Sequence, residues 1–157
     1  MRIAHLTRFL TCSVALALFI AAVLASAQAS SSSNADLPRM QPDELAKAIQ
    51  SASGQKPVIL YVGPAILYNQ GHVRGAELIG PAARPEGVEK LKARAASLSH
   101  DRQVVIYCGC CPWDHCPNVK PAYQELQKMG FTNIRVLYLP TSFGTDWTDK
   151  GYPTDKG

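Results

Sequence analysis

The sequence predicts a single α/β domain, doubly wound, with a central parallel sheet covered by helices on both faces. Three observations carry this expectation. Val58-Ile59-Leu60-Tyr61-Val62 and Val104-Val105-Ile106-Tyr107 are short unbroken apolar runs, the pattern of strands buried on both faces. Segments with apolar residues at helical spacing separate and follow them, and strands alternating with such helices pack as a parallel sheet between helical layers. A chain of 157 residues, 46% hydrophobic and 18% charged, has the size and composition of about one globular domain.

The elements can be read in order from Leu37. Pro42 suits a first helical turn, Asp43 and Glu44 complement the helix N-terminus, and Leu45, Ala48 and Ile49 share a face until Gly54 ends the segment. The apolar strand from Val58 follows Pro57. Residues 63–87 are punctuated by Gly63-Pro64, Gly71, Gly75, Gly80-Pro81 and Pro85, so loops are expected there, with Ala76 to Ile79 as one short strand. Pro85 and Glu86 open a helix with apolar positions at Val88, Leu91, Ala95 and Leu98. After the strand ending at Tyr107, Cys108 to Asn118 reads as a loop. Tyr123, Leu126 and Met129 mark a helix closed by Gly130, and Ile134 to Leu139 is the last clear strand.

The first 29 residues are a separate segment. They contain no acid; Arg2 and Arg8 form a positive start, Val14 to Leu24 is apolar, and Ala25-Ser26-Ala27-Gln28-Ala29 offers small-residue cleavage sites. This is the pattern of a secretory signal peptide, and its apolar core is shorter than the ~18 residues of a membrane span. Residues 30–36, rich in serine, read as a flexible linker, and residues 37–157 as the folded domain. The expected destination is the periplasm or the medium, with no membrane attachment after cleavage. Removing Arg2 and Arg8 lowers the formal charge from +4 to +2, and no basic run marks a nucleic-acid surface. A monomer is expected.

Cys12 lies in the signal, which leaves Cys108, Cys110, Cys111 and Cys116 in one loop. A disulfide framework would spread its cysteines to close long loops, so this clustering points to a reactive site. Cys108 stands where a buried parallel strand ends and a helix is about to begin, the edge at which open α/β sheets bind ligands. Loop N–H groups and the helix N-terminus can stabilise an anion there, so Cys108 is the candidate nucleophile, with a lowered thiol pKa expected. Gly109, Trp113 and His115 in the loop, and Lys120 in the first turn of the next helix, are candidates for binding substrate. Lys120 would add positive charge, and His115 could serve as a base or ligand.

The chain resembles the rhodanese-like family of sulfurtransferases over about residues 37–155. The resemblance rests on Gly71-His72-Val73-Arg74-Gly75-Ala76, on Tyr107-Cys108 after the strand, on Leu126-x-x-x-Gly130-Phe131, and on Trp147-x-x-x-Gly151-Tyr152-Pro153. It implies a Cys108 that accepts sulfane sulfur as a persulfide, from a small donor such as thiosulfate, and passes it to a thiol, a reductase or cyanide. His72 and Trp147 read as architecture rather than catalysis. The sequence departs from the family in three places. Tyr61-Val62-Gly63 stands where Asp-x-Arg is usual, the cysteine loop is longer and holds Pro112 and Pro117, and it carries four thiols in the pattern C-x-C-C-x4-C. Those extra thiols make Cys111, then Cys110 and Cys116, candidates to resolve a persulfide.

Two other chemistries fit the same loop. Cys108 and Cys111 have the C-x-x-C spacing of a dithiol that cycles through a disulfide. The four thiols with His115 could also hold copper, since thiolates favour Cu(I). Their crowding suits tetrahedral zinc poorly, and no resident metal or other cofactor is expected.

Overall fold

The computed structural model describes residues 34–157. The signal expected over residues 1–29, and the linker up to residue 33, lie outside the described residues. Five parallel strands form the sheet: β1 (Arg39–Met40), β2 (Val58–Tyr61), β4 (Glu77–Leu78), β5 (Val104–Tyr107) and β6 (Ile134–Leu137), in the order β1-β6-β5-β2-β4. Between β2 and β4 lie α2 (Ala65–Gln70) and β3 (His72–Val73), and β3 pairs antiparallel with β7 (Thr154–Asp155) near the C-terminus. The connecting helices are α1 (Pro42–Gln50), α3 (Pro85–Ala95), α4 (Val119–Lys128) and the short α5 (Phe143–Asp146). No helix among the described residues is long and apolar enough to cross a membrane.

Alternation along the strands makes two cores. Leu60, Val104, Ile106 and Val136 face a layer that includes Leu91 and Ala95 of α3 and Val119, Ala122 and Leu126 of α4. Their neighbours Ile59, Tyr61, Val105, Tyr107 and Leu137 face the other way, against Leu45, Ala46 and Ile49 of α1 and against Trp147. Side chains that alternate on two buried faces explain why these strands read as continuous apolar runs. The sheet is therefore doubly wound, as the sequence suggests.

The chain leaves β2 toward one edge of the sheet and returns to place β5 on the other side of β2, with Tyr61 opposite Tyr107. The order reverses between β2 and β5, so the crevice beyond their C-terminal ends is the switch point at which such sheets bind ligands.

Three expectations need correction. The stretch 63–87, expected as loops, contains α2 and β3; α2 buries none of its residues, so no apolar stripe announces it. β3 forms only by pairing with β7, through His72 opposite Asp155, a contact between distant segments that local patterning does not encode. The linker expected over residues 30–36 does not extend through Asn34, which is fully buried and donates from Nδ2 to the Trp113 carbonyl at 2.6 Å and the Cys116 carbonyl at 3.2 Å.

Gly87, inside α3, marks where the helix meets its own entry loop. A Cβ there would stand 2.1 Å from the Pro81 carbonyl oxygen, which is backbone and cannot swing away. Alanine favours a helix over glycine by ~1 kcal/mol, but overpacking of this kind costs ~1–3 kcal/mol. Gly87→Ala is therefore expected to lower the denaturant midpoint, and an unchanged or raised midpoint would show that the loop yields.

Candidate active site

Cys108 directly follows β5 and is buried. Its sulfur touches three polar neighbours brought by different segments. Cys110 Sγ lies 3.1 Å away, and Asn118 Nδ2 donates to it at 3.4 Å. Cys116 supplies the third contact, and the sulfur atoms of Cys108, Cys110 and Cys116 all lie within 4.8 Å of one another. Asn118 is itself held, because its Oδ1 accepts the Ala83 N–H at 3.0 Å.

The backbone explains why the loop folds back in this way. Gly109 has φ of +69°, a left-handed conformation that glycine adopts without strain, and a Cβ there would lie 2.8 Å from that of Phe143. Its carbonyl accepts the Phe143 N–H at 3.0 Å. Farther along, Trp113 anchors a single 3-10 turn (Trp113–His115): its N–H donates to the Pro140 carbonyl, and its ring meets Tyr138 edge-on under the Arg39 guanidinium. Gly63, at the end of β2, clears the space on the opposite side. A Cβ on it would come within 2.9 Å of Cys108 Sγ and 2.6 Å of the Tyr61 hydroxyl.

Cys116 is the loop cysteine whose thiol pKa is lowered. The Cys108 thiol donates to Cys116 and, against the penalty of burial, the backbone N–H groups of Asn118 and Val119 at the start of α4 also point at that sulfur; its pKa falls to about 6. The same contact pushes the Cys108 thiol up, with burial adding to the shift. Cys111 is also raised, to about 12, chiefly by burial. The anion-stabilising helix start expected for Cys108 thus serves Cys116, because the longer loop delivers that residue to the helix N-terminus.

A cavity of about 280 Å³ opens at the switch point and includes Cys108, Gly109, Tyr61, Gln70, Phe143 and Lys156 in its lining. Lys156 is the one charged residue in that lining among the described residues. The other positions predicted from sequence are distributed differently. Trp113 is buried in the core beside Tyr138, and His115 is exposed and offers its carbonyl to Cys111 Sγ at 3.7 Å. Lys120 lines a separate groove with Asp36, Leu37 and Tyr123. Cys111 Sγ approaches Cys110 at 3.3 Å and stands outside the convergent trio, so Cys110 and Cys116 are the thiols brought to Cys108. The trio also has the softness and convergence to take an ion such as Cu(I), and no fourth side-chain ligand joins it among the described residues.

Gly63, Asn118, Tyr61, Phe143 and Lys156 were not legible as site residues. Asn118 carried a local signal, since it stands just before a helix, where its type usually caps. Here it makes no such cap and spends its side chain on Cys108 and Ala83. His72, expected to be architectural, is buried with its ring stacked on Tyr68 at 3.7 Å and is absent from the lining of the cavity.

Comparison with known proteins agrees with this fold. The crystal structure of the Alr3790 protein from Anabaena sp. is 20% identical and superposes with a TM-score of 0.58, covering 75% of this chain and 82% of that one. The solution structure of the rhodanese-like domain of Alr3790 is 25% identical, with a TM-score of 0.55 and coverage of 76% and 80%. A structure of EanB carrying a cysteine persulfide, with ergothioneine, shares the fold at 22% identity and a TM-score of 0.54; the match covers 75% of this chain and 28% of EanB. No curated protein matches the chain. Residues 41–139, from the start of α1 to just beyond β6, match the family described as Rhodanese-like domain. With its sheet order, its cysteine at the end of the central strand and this match over most of its length, the chain belongs to the rhodanese-like domain family.

Proposed function

We propose that the protein is an exported sulfurtransferase in which Cys108 accepts sulfane sulfur as a persulfide and hands it to a thiol or cyanide. The observation that carries this reading is the buried Cys108 thiol facing a cavity at the switch point with the Cys110 and Cys116 sulfurs converging on it, Cys116 being the thiol whose pKa is lowered. Nucleophile and base stand in contact, the arrangement that activates a weak nucleophile. The family generally transfers sulfur, and EanB has been captured with a cysteine persulfide. Export rests on the N-terminal sequence pattern.

Thiosulfate fits the chemistry as donor. Its outer sulfur approaches Cys108 Sγ, the Cys108 proton moves to Cys116, and a sulfur–sulfur bond forms as the bond to the sulfonate sulfur breaks. Sulfite leaves with the electron pair of that bond. The products are a deprotonated Cys108 persulfide, a neutral Cys116 thiol and sulfite, with total charge unchanged. Lys156 supplies positive charge for the dianionic donor. The Cys110 N–H and Asn118 Nδ2, which both donate to Cys108 Sγ, hold the reacting sulfur in place.

The direct test incubates the reduced full chain with thiosulfate under argon and follows released sulfite. Wild type is expected to release one equivalent of sulfite as the outer sulfur passes to Cys108, and Cys108→Ser to release none. Sulfite release by the variant at the wild-type level would overturn the assignment.

The pH profile provides a second check. The reactive form has Cys116 deprotonated, so protonating it removes the base and slows loading. The rate should fall about tenfold per pH unit below a pH near the Cys116 value of about 6 and stay level above it. A rate that instead climbs through alkaline pH would mean that Cys108 ionises without Cys116.

A further inference from the structure

We propose that the persulfide on Cys108 is resolved within the chain by Cys116, so that the protein reduces sulfane sulfur to hydrosulfide and ends its turnover with a Cys108–Cys116 disulfide. This rests on the sulfur-accepting role proposed for Cys108 and names the first acceptor of that sulfur.

The geometry places an acceptor where most single-thiol sites would need one from solution. Cys116 Sγ lies within 4.8 Å of Cys108 Sγ, and both residues are buried. Well-oriented groups reach effective molarities of ~10⁵ M or more, whereas an external thiol arrives at millimolar concentration and must enter the cavity. The internal reaction wins by that margin unless the loop is rigid against closure. Between the two cysteines the loop has one 3-10 turn and no α-helix, and a disulfide requires the sulfurs to approach to ~2.05 Å.

The loading step leaves Cys116 protonated, which supplies what the second step needs. Cys116 Sγ attacks Cys108 Sγ, the bond between Cys108 Sγ and the outer sulfur breaks, and the Cys116 proton goes to the departing sulfur. The Cys108 persulfide anion and the Cys116 thiol thus become a disulfide and hydrosulfide, one negative charge on each side. Over both steps the Cys108 and Cys116 sulfurs are oxidised by two electrons and the sulfane sulfur is reduced by two. A dithiol reductant then restores the pair for the next turnover.

Cys110 Sγ stands 3.1 Å from Cys108 Sγ but is less suited. It is separated from Cys108 only by Gly109, whose carbonyl is tied to the Phe143 N–H and whose φ of +69° is set in close contact with Phe143. Bridging Cys108 to Cys110 would distort that backbone, while bridging to Cys116 leaves it in place. Cys116 is also the thiol on which the backbone N–H groups of Asn118 and Val119 converge.

The test uses the full chain, reduced and freed of reductant, mixed with excess thiosulfate under argon and no added thiol. Sulfite, hydrosulfide and linked peptides are measured in the same samples. One equivalent each of sulfite and hydrosulfide is expected, with a peptide pair joined through Cys108 and Cys116. Cys116→Ser is expected to load sulfur more slowly, retain it as a persulfide and release no hydrosulfide, while Cys111→Ser releases it as wild type does. Sulfite with a stable persulfide and no hydrosulfide in wild type would overturn internal resolution and leave the sulfurtransferase reading standing. Absence of both sulfite and persulfide would remove that reading and this one with it. A Cys108–Cys110 peptide pair in wild type would overturn the choice of Cys116 even if the Cys116→Ser variant did not fold.

Discussion

Gly63→Ala is expected to slow sulfur loading of Cys108 by roughly a hundredfold, the penalty of about an ångström of misplacement at a reacting atom. The added methyl would stand 2.9 Å from Cys108 Sγ and 2.6 Å from the Tyr61 hydroxyl, and neither can retreat freely. The Tyr61 ring packs against Tyr68 and Tyr107 at centroid distances of 5.5 and 5.1 Å, and its hydroxyl donates to the Pro64 carbonyl. Cys108 is confined by Cys110 and Asn118. Whichever side moves, the nucleophile loses its place relative to the cavity or to Cys116. The backbone at Gly63 does not have positive φ, so alanine is conformationally acceptable there and the fold should persist. Initial sulfite release and a denaturation curve separate the two effects. Loading near the wild-type rate would show that the site tolerates the methyl, and a lost fold would show that Gly63 is structural.

Trp147→Ala is expected to destabilise the domain by about 4 kcal/mol, the scale of a fully buried indole lost from a core. That is a large share of the ~5–15 kcal/mol that holds a domain folded. Trp147 is completely buried, packs with Phe143 and Tyr152, and donates from Nε1 to the Pro153 carbonyl at 3.1 Å. Its removal strips the support behind Phe143, which lines the Cys108 cavity and whose N–H holds the Gly109 carbonyl. Urea unfolding should show the loss, and in the fraction still folded sulfur loading should also fall. A stability change below ~1 kcal/mol would mean the C-terminal segment repacks around the vacancy.

These two positions divide what local sequence carries from what it does not. Trp147 and the turn after it were readable as packing because a large aromatic followed by Gly151-Tyr152-Pro153 has few other uses in a chain of this kind. Gly63 was visible only as a missing polar residue after β2, and the sulfur it accommodates belongs to β5, the neighbouring strand. The loops expected over residues 63–87 hid α2 and β3 for a related reason. α2 has no buried face, and β3 exists through its partner near the C-terminus.

The sequence by itself determined the two central strands, the helices that flank them and the placing of Cys108 at the end of β5. Each of these follows from local properties: unbroken apolar runs, helical spacing, and a thiol at a strand end. Only the tertiary structure decided which thiol has its pKa lowered. Spacing favoured Cys111 as the partner of Cys108 because the two form C-x-x-C, but a thiolate forms where N–H groups converge, and folding brings Cys116 to the start of α4 and into contact with Cys108. The same folding sets Asn118 on Cys108, Asn34 on the far side of the loop, and Lys156 beside the cavity. Such placements depend on how loops cross in space, and the linear order of residues does not record a distance between them.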